Sequence, residues 1–300
     1  MPPRHIALAV AVALVWGVNF VVIDVGLESF PPLLFVALRF ALIALPGLLL
    51  VGRPDVRARE VILVGTFLSA GHFGLLFVGM DQGMPAGLAS LVLQLQIVFT
   101  IGLAFLILNE RVTRRQVAGG AVSLAGMGVI AAGRAEGIPL AALGLTVAAA
   151  ASWGIGNVIT RRAQAKDAAA LLVWSSLVPP IPLALLSLGV EGPSAIEHAF
   201  SHLDAGGVLA LLYVVIVSTA FGFGAWTWLL RAHAAARVVP FALVVPVAGL
   251  LSAWIALGET PNGPELVGSA IVLAGLAVTV LAMRPRRAVT PPPASAAEAV

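Results

Sequence analysis

Ten apolar runs, each close to twenty residues long, fill almost the whole of this 300-residue chain, and that pattern leaves it one solvent. A helix rises ~1.5 Å per residue, so ~20 apolar residues match the ~30 Å hydrocarbon layer of a bilayer. Lipid offers the backbone no hydrogen-bond partners, so only helices and closed barrels span it, and runs of this length predict helices. They lie at about residues 6–23, 32–51, 61–80, 85–108, 113–132, 140–160, 170–189, 205–230, 238–257 and 264–283, between charged or Pro/Gly-rich breaks. Apolar residues make up 60% of the chain and charged ones 10%, against ~45–50% and ~25% in soluble domains. Soluble enzymes, nucleic-acid-binding modules and secreted domains are excluded on that ground. With no cysteine there is no disulfide framework, thiolate metal site or cysteine nucleophile, and nothing calls for a metal or a cofactor. The first run is longer than a signal-peptide core and lacks a small-residue cleavage site, so it reads as a retained helix. The Pro/Ala-rich stretch 285–300 is expected to be a disordered cytoplasmic tail.

Cations set the orientation, because Lys and Arg in short loops stay on the cytoplasmic side. With ten spans, 15 of the 17 basic residues fall on the side of the termini, and the opposite side collects nine acids between Asp24 and Glu265. Both termini are therefore expected in the cytoplasm. A wrong span count would mix the two sets from the error onward, and they do not mix.

The halves of the chain resemble each other. Trp16-Gly17-Val18-Asn19 recurs as Trp153-Gly154-Ile155-Gly156-Asn157 at an offset of 137, and Pro46 comes within one residue of aligning with Pro182. Glu110, Gly119 and Gly126 match Glu259, Gly268 and Gly275 at an offset of 149, which puts some 12 extra residues in 190–204 and the eighth run. Five spans per half, residues 1–137 and 138–284, force the second copy to cross the membrane upside down. Inverted repeats of this kind characterise secondary transporters. The expected fold is therefore an all-α integral membrane protein of ten transmembrane helices in two inverted five-helix repeats.

The segments LVWGVNFVVID, FPPLLFVALRFALIALP and GMPAGLASLVLQLQ, the NER loop at 109–111 before a Gly-rich span, and GET at 258–260 resemble, in order, the EamA-type family of the drug/metabolite transporter superfamily. The resemblance covers residues 5–284. It implies a central cavity between the repeats and efflux of small metabolites across the bacterial inner membrane by alternating access. Amino acids or derivatives such as O-acetylserine and cysteine are the implied cargo, with an importer, exchanger or drug carrier of the same fold as the alternative.

Polar groups within hydrocarbon are costly, which makes each one a candidate for function. Arg39 sits seven residues past Pro32; its guanidinium could take a substrate carboxylate in two-pronged fashion, or pair with Asp24 or Glu28. The 137 offset sets it against Ser176, so the charge belongs to one half only. His72, eleven residues into the third run, is the one candidate for a proton-coupling switch, or a neutral ring bonded between helices. Gln94 and Gln96 point about 200° apart on an α-helix, so only one is expected in the cavity, Gln94. Asn19 and Asn157 could line the pathway or bridge helices where Gly17 and Gly154 bring them close. Trp16, Trp153 and Trp174 lie inside their runs rather than in interfacial belts and suit a cavity wall, with core packing as the alternative. Tyr213 adds to the polar-aromatic content of the eighth run.

Proline bends helices by removing a donor; Pro46, Pro179, Pro180, Pro182 and Pro246 mark candidate hinges. The glycines of the fifth and tenth runs suggest close helix packing, either as scaffold or in a homodimer. An intramembrane protease would need a deep carboxylate pair or H-E-x-x-H, and neither is present. The chain is expected not to be an enzyme and to have no nucleic-acid partner.

Overall fold

A computed structural model describes residues 1–109, 112–132, 138–233 and 235–281, and contains helices and no strand among them. The tail at 285–300 lies outside the described residues. Eight helices are long and apolar enough to cross a membrane: α1 (Pro3–Leu27), α3 (Ala58–Asp81), α4 (Ala86–Leu108), α6 (Leu140–Ala163), α7 (Ala168–Val190), α9 (Ala205–Ala232), α10 (Val239–Leu257) and α11 (Gly263–Leu281). Three more differ in kind. Helix α2 (Pro32–Gly47) is apolar but has 16 residues, and α5 (Arg114–Ala132) is a less apolar 19-residue helix opening on two arginines. The short α8 (Pro193–Ser201) fills the loop that carries the extra residues.

Helix ends are set by local chemistry. Proline starts α1, α2 and α8, where no amide partner is needed. Asp167 accepts from Ala169 and Ala170 at the start of α7 (2.9 and 3.2 Å), and Asp204 accepts from Gly207 at the start of α9 (2.8 Å). Two caps come from the other half of the chain. Glu191 accepts from Leu33 at the head of α2 (2.7 Å), and Glu259 accepts from Ala86 and Gly87 at the head of α4 (2.7 and 2.9 Å). Left-handed residues close α4 at Asn109 and α10 at Gly258, 149 positions apart.

Nearly the same offset relates the irregular stretches. Helix α3 loosens into a π-segment at Gly65–Gly71 and α9 at Tyr213–Phe221; α4 tightens to a 3-10 turn at Leu93–Leu95, and α10 opens with one at Val239–Leu243. Helix α7 is interrupted between Ser175 and Pro180, where Pro179 and Pro180 stand. Pro46 falls near the end of α2, and Pro246 just inside the regular part of α10.

Packing falls at the same sequence offsets. Helices α5 and α11 run face to face: a Cβ on Gly119 would meet the Gly275 carbonyl at 2.5 Å, and one on Gly126 the Gly268 carbonyl at 2.8 Å. Ser123, hydrogen-bonded to Val272, lies midway (3.4 Å). These glycines are thus spent on a contact within the chain. Likewise Gly17 lets α1 meet α10 beside Val245, and its counterpart Gly154 lets α6 meet α4 beside Phe99.

Candidate functional site

A cavity of about 1240 Å³ penetrates the bundle between the two halves. Its wall reaches Asn109, Thr113 and Arg161, at the helix ends that carry arginine, and stops inside the opposite, acid-bearing ends. No Asp or Glu lines it among the described residues.

Four helices put a polar residue at one depth. Asn19 lies eight residues before the end of α1, Arg39 seven after the start of α2, His72 nine before the end of α3, and Gln94 eight after the start of α4. At ~1.5 Å per residue all four stand ~10–14 Å inside the acid-bearing ends. Each borders the cavity.

Arg39 is 1% exposed. The expected pairing with Asp24 or Glu28 does not occur; among the described residues no carboxylate pairs with it. Instead Nε and Nη2 donate to Thr219 Oγ1 on α9 (3.1 and 2.9 Å), whose hydroxyl donates to the Val214 carbonyl (2.6 Å). The guanidinium lies 4.0 Å from the centre of the Phe73 ring, a cation–π contact that gains strength away from water. Nη1 is buried and has no hydrogen-bond partner among the described residues.

His72 donates from Nδ1 to the Ala149 carbonyl of α6 (3.3 Å), and its ring packs 4.4 Å from Trp153 and 4.3 Å from Phe73. Gln94 and Gln96 both line the cavity, contrary to the expectation that one would face away. The 3-10 turn explains it: at ~3.0 residues per turn, positions i and i+2 lie about 120° apart rather than about 160°. Gln94 donates to the Ala242 carbonyl (3.2 Å), and Gln96 accepts from Asn157 (3.0 Å). Asn157 also donates to Thr100 (3.2 Å), whereas Asn19 Oδ1 is buried without a partner.

Trp16 donates its indole N–H to the Ser218 carbonyl (3.0 Å) and forms an aromatic wall with Phe223 (5.2 Å) and Trp226 (5.3 Å). Three sequence candidates stand elsewhere. Trp174 donates to the Gly52 carbonyl in an exposed contact (3.0 Å), Ser176 bonds back to Leu172 in its own helix (2.8 Å), and Tyr213 ties α9 to the Val15 carbonyl (2.9 Å). None of the three lines the cavity. Phe73, Phe223 and Thr100 do, without having stood out in the sequence. Only proximity to a polar residue across a helix–helix contact marks them.

Residues 4–132 and again 140–281 match the EamA-like transporter family. The chain belongs to that family. A "Probable amino-acid metabolite efflux pump" of Salmonella typhimurium is 42% identical over 93% of this chain and 96% of its own, and one of the same description from Escherichia coli K12 is 40% identical over 94% and 96%. A "Probable terminal-alkyne amino-acid exporter" of Streptantibioticus cattleyicolor is 28% identical, covering 87% and 88%. A crystal structure covering 94% of this chain and 98% of its own superposes with a TM-score of 0.63 at 22% identity, a likeness of fold. As an EamA-family member the chain is a multi-pass membrane transporter with a small-molecule substrate.

Proposed function

We propose that the chain exports small amino-acid metabolites, O-acetylserine and cysteine among them, from the cytoplasm across the bacterial inner membrane by alternating access. It does so with ten spanning helices in two inverted five-helix halves, residues 1–137 and 138–284, and both termini in the cytoplasm. The observation that carries the reading is a cavity that starts at arginine-bearing helix ends, stops short of the acid-bearing ends, and is bordered by a buried guanidinium that has no carboxylate partner among the described residues. A buried cation left part-bonded is costly, and a ligand carboxylate offsets that cost by charge-assisted hydrogen bonds. The recurrence of π-segments, 3-10 turns and left-handed caps at similar offsets, 146 to 150, supports two related halves. So does the double family match. The names of the relatives support amino-acid cargo. Cationic drugs fit poorly, since the wall holds the buried Arg39 and, among its described residues, no acid.

The test is uptake of radiolabelled O-acetyl-L-serine and L-cysteine by inside-out membrane vesicles. Vesicles carrying the chain are expected to accumulate both, and Arg39→Ala at equal membrane level to fall to background. Uptake equal to that of vesicles without the chain overturns the cargo; undiminished uptake by Arg39→Ala overturns the role of Arg39.

A further inference from the structure

The two halves use their matching polar residues differently. In the second half the amide nitrogen of Asn157 donates to both Gln96 and Thr100, and the Ser176 hydroxyl donates to the backbone of α7. In the first half their counterparts keep unused capacity: Arg39 Nη1 is a buried donor, and Asn19 Oδ1 a buried acceptor, with no partner among the described residues. Asn19 is 6% exposed, so both side chains are held out of water. Buried polar atoms are rarely left unpaired, and each such atom calls for an explanation.

These two residues share one cavity at a similar depth. Both residues border the same cavity, and the depths counted along α1 and α2 agree to within one helical rise. Helix α9 ties them together: Trp16, one turn from Asn19, bonds to Ser218, and Arg39 bonds to the next residue, Thr219. A charged donor and a neutral acceptor on two helices at one depth of the same cavity, with an aromatic wall on that cavity, suit a ligand that carries an anion and an ammonium on adjacent atoms.

We infer that the cavity reads the substrate as a zwitterion: Arg39 Nη1 takes the α-carboxylate and Asn19 Oδ1 the α-ammonium, with the face of Trp16 beside it. The inference rests on the amino-acid reading above and narrows it to molecules with a free amine. Acylation of that amine removes the positive charge and adds bulk opposite Asn19. Esterification of the carboxylate removes the anion and leaves Arg39 as before. The substrate side chain then extends along the Phe223 and Trp226 wall toward the arginine-bearing mouth. That space is generous, so selectivity lies in the two charged ends and much less in the side chain.

The experiment is equilibrium binding to the purified full-length protein in detergent at mildly acidic pH, with O-acetyl-L-serine, its isomer N-acetyl-L-serine and O-acetyl-L-serine methyl ester. The zwitterion is expected to bind at least about tenfold tighter than either analogue, the size of one lost hydrogen bond to a charged group. Asn19→Leu is expected to erase the preference over the N-acetyl isomer and keep that over the ester; Arg39→Gln does the reverse. N-acetyl-L-serine binding as well as O-acetyl-L-serine overturns the inference, and the comparison needs no variant. If vesicles also transport both isomers equally, export stands and zwitterion reading falls. If none of the three binds, both fall.

Discussion

Thr219 decides what Arg39 can do. Its hydroxyl accepts two guanidinium hydrogen bonds and spends its own proton on Val214, inside the π-segment of α9. Replacing it with valine leaves two buried donors of Arg39 unpaired, at about 1–3 kcal/mol each. Thr219→Val is therefore expected to lower the thermal midpoint in detergent by several degrees and to weaken transport, with Thr219→Ser close to the parent in both. A valine variant as stable as the parent would mean that the guanidinium finds other acceptors. At this scale the sequence was half legible. Arg39, His72 and Asn19 stand out as polar residues in apolar runs, but their partners do not: Thr219 lies 180 positions from Arg39, and Ala149 lies 77 from His72. The sequence left Arg39 open between a substrate carboxylate and a pairing with Asp24 or Glu28, and its protein partner proved to be Thr219, on a helix far along the chain.

Between helices, the α5–α11 seam is set by backbone approach. Gly119→Val places side-chain atoms into the Gly275 carbonyl and the Thr279 backbone. Overpacking of this kind costs about 1–3 kcal/mol, so the variant is expected to unfold at lower temperature, whereas Gly102→Ala, which meets nothing within 4 Å, is expected to match the parent. The cap of α9 gives a pH dependence. The Gly207 N–H and then the Ser29 hydroxyl hold the Asp204 carboxyl below its usual 3.8. Its folded value is depressed, so its contribution is complete above the ordinary value of 3.8 and fades as pH falls through the lower, folded one. Asp204→Asn keeps a capping oxygen that does not titrate. The parent's margin over this variant in thermal midpoint is expected at pH 6 and to shrink below pH 4; a constant margin would discard the titration. The helices themselves were legible as apolar runs. The Gln94/Gln96 pair was not, because a 3-10 turn is invisible in the alternation of residue types.

Over the whole molecule, offsets close to 149 link the π-segments of α3 and α9, the caps at Asn109 and Gly258, and the glycine contacts of α5 and α11. Thr160 stands at the cavity's arginine-bearing mouth, and Ser29 near the acid-bearing end beside Asp204. The chain has no cysteine of its own, so single thiols report cleanly. Thr160→Cys is expected to react with a membrane-impermeant thiol reagent in inside-out vesicles, and Ser29→Cys only from the opposite face. Reversed labelling would invert the transport direction proposed above.

Residence in a bilayer, helical secondary structure and the likeness between the halves were all determined by the amino-acid sequence. Each is written in consecutive residues or in a recurring spacing, and lipid admits few alternatives for a chain of this kind. The tertiary structure alone decided which polar atoms are consumed and which stay unpaired at the cavity. That outcome depends on the rotation and register of helices far apart in the chain, and on π and 3-10 segments that re-aim side chains. Asn19 and Asn157 share a motif and part company only because α4 offers Gln96 and Thr100 to one of them.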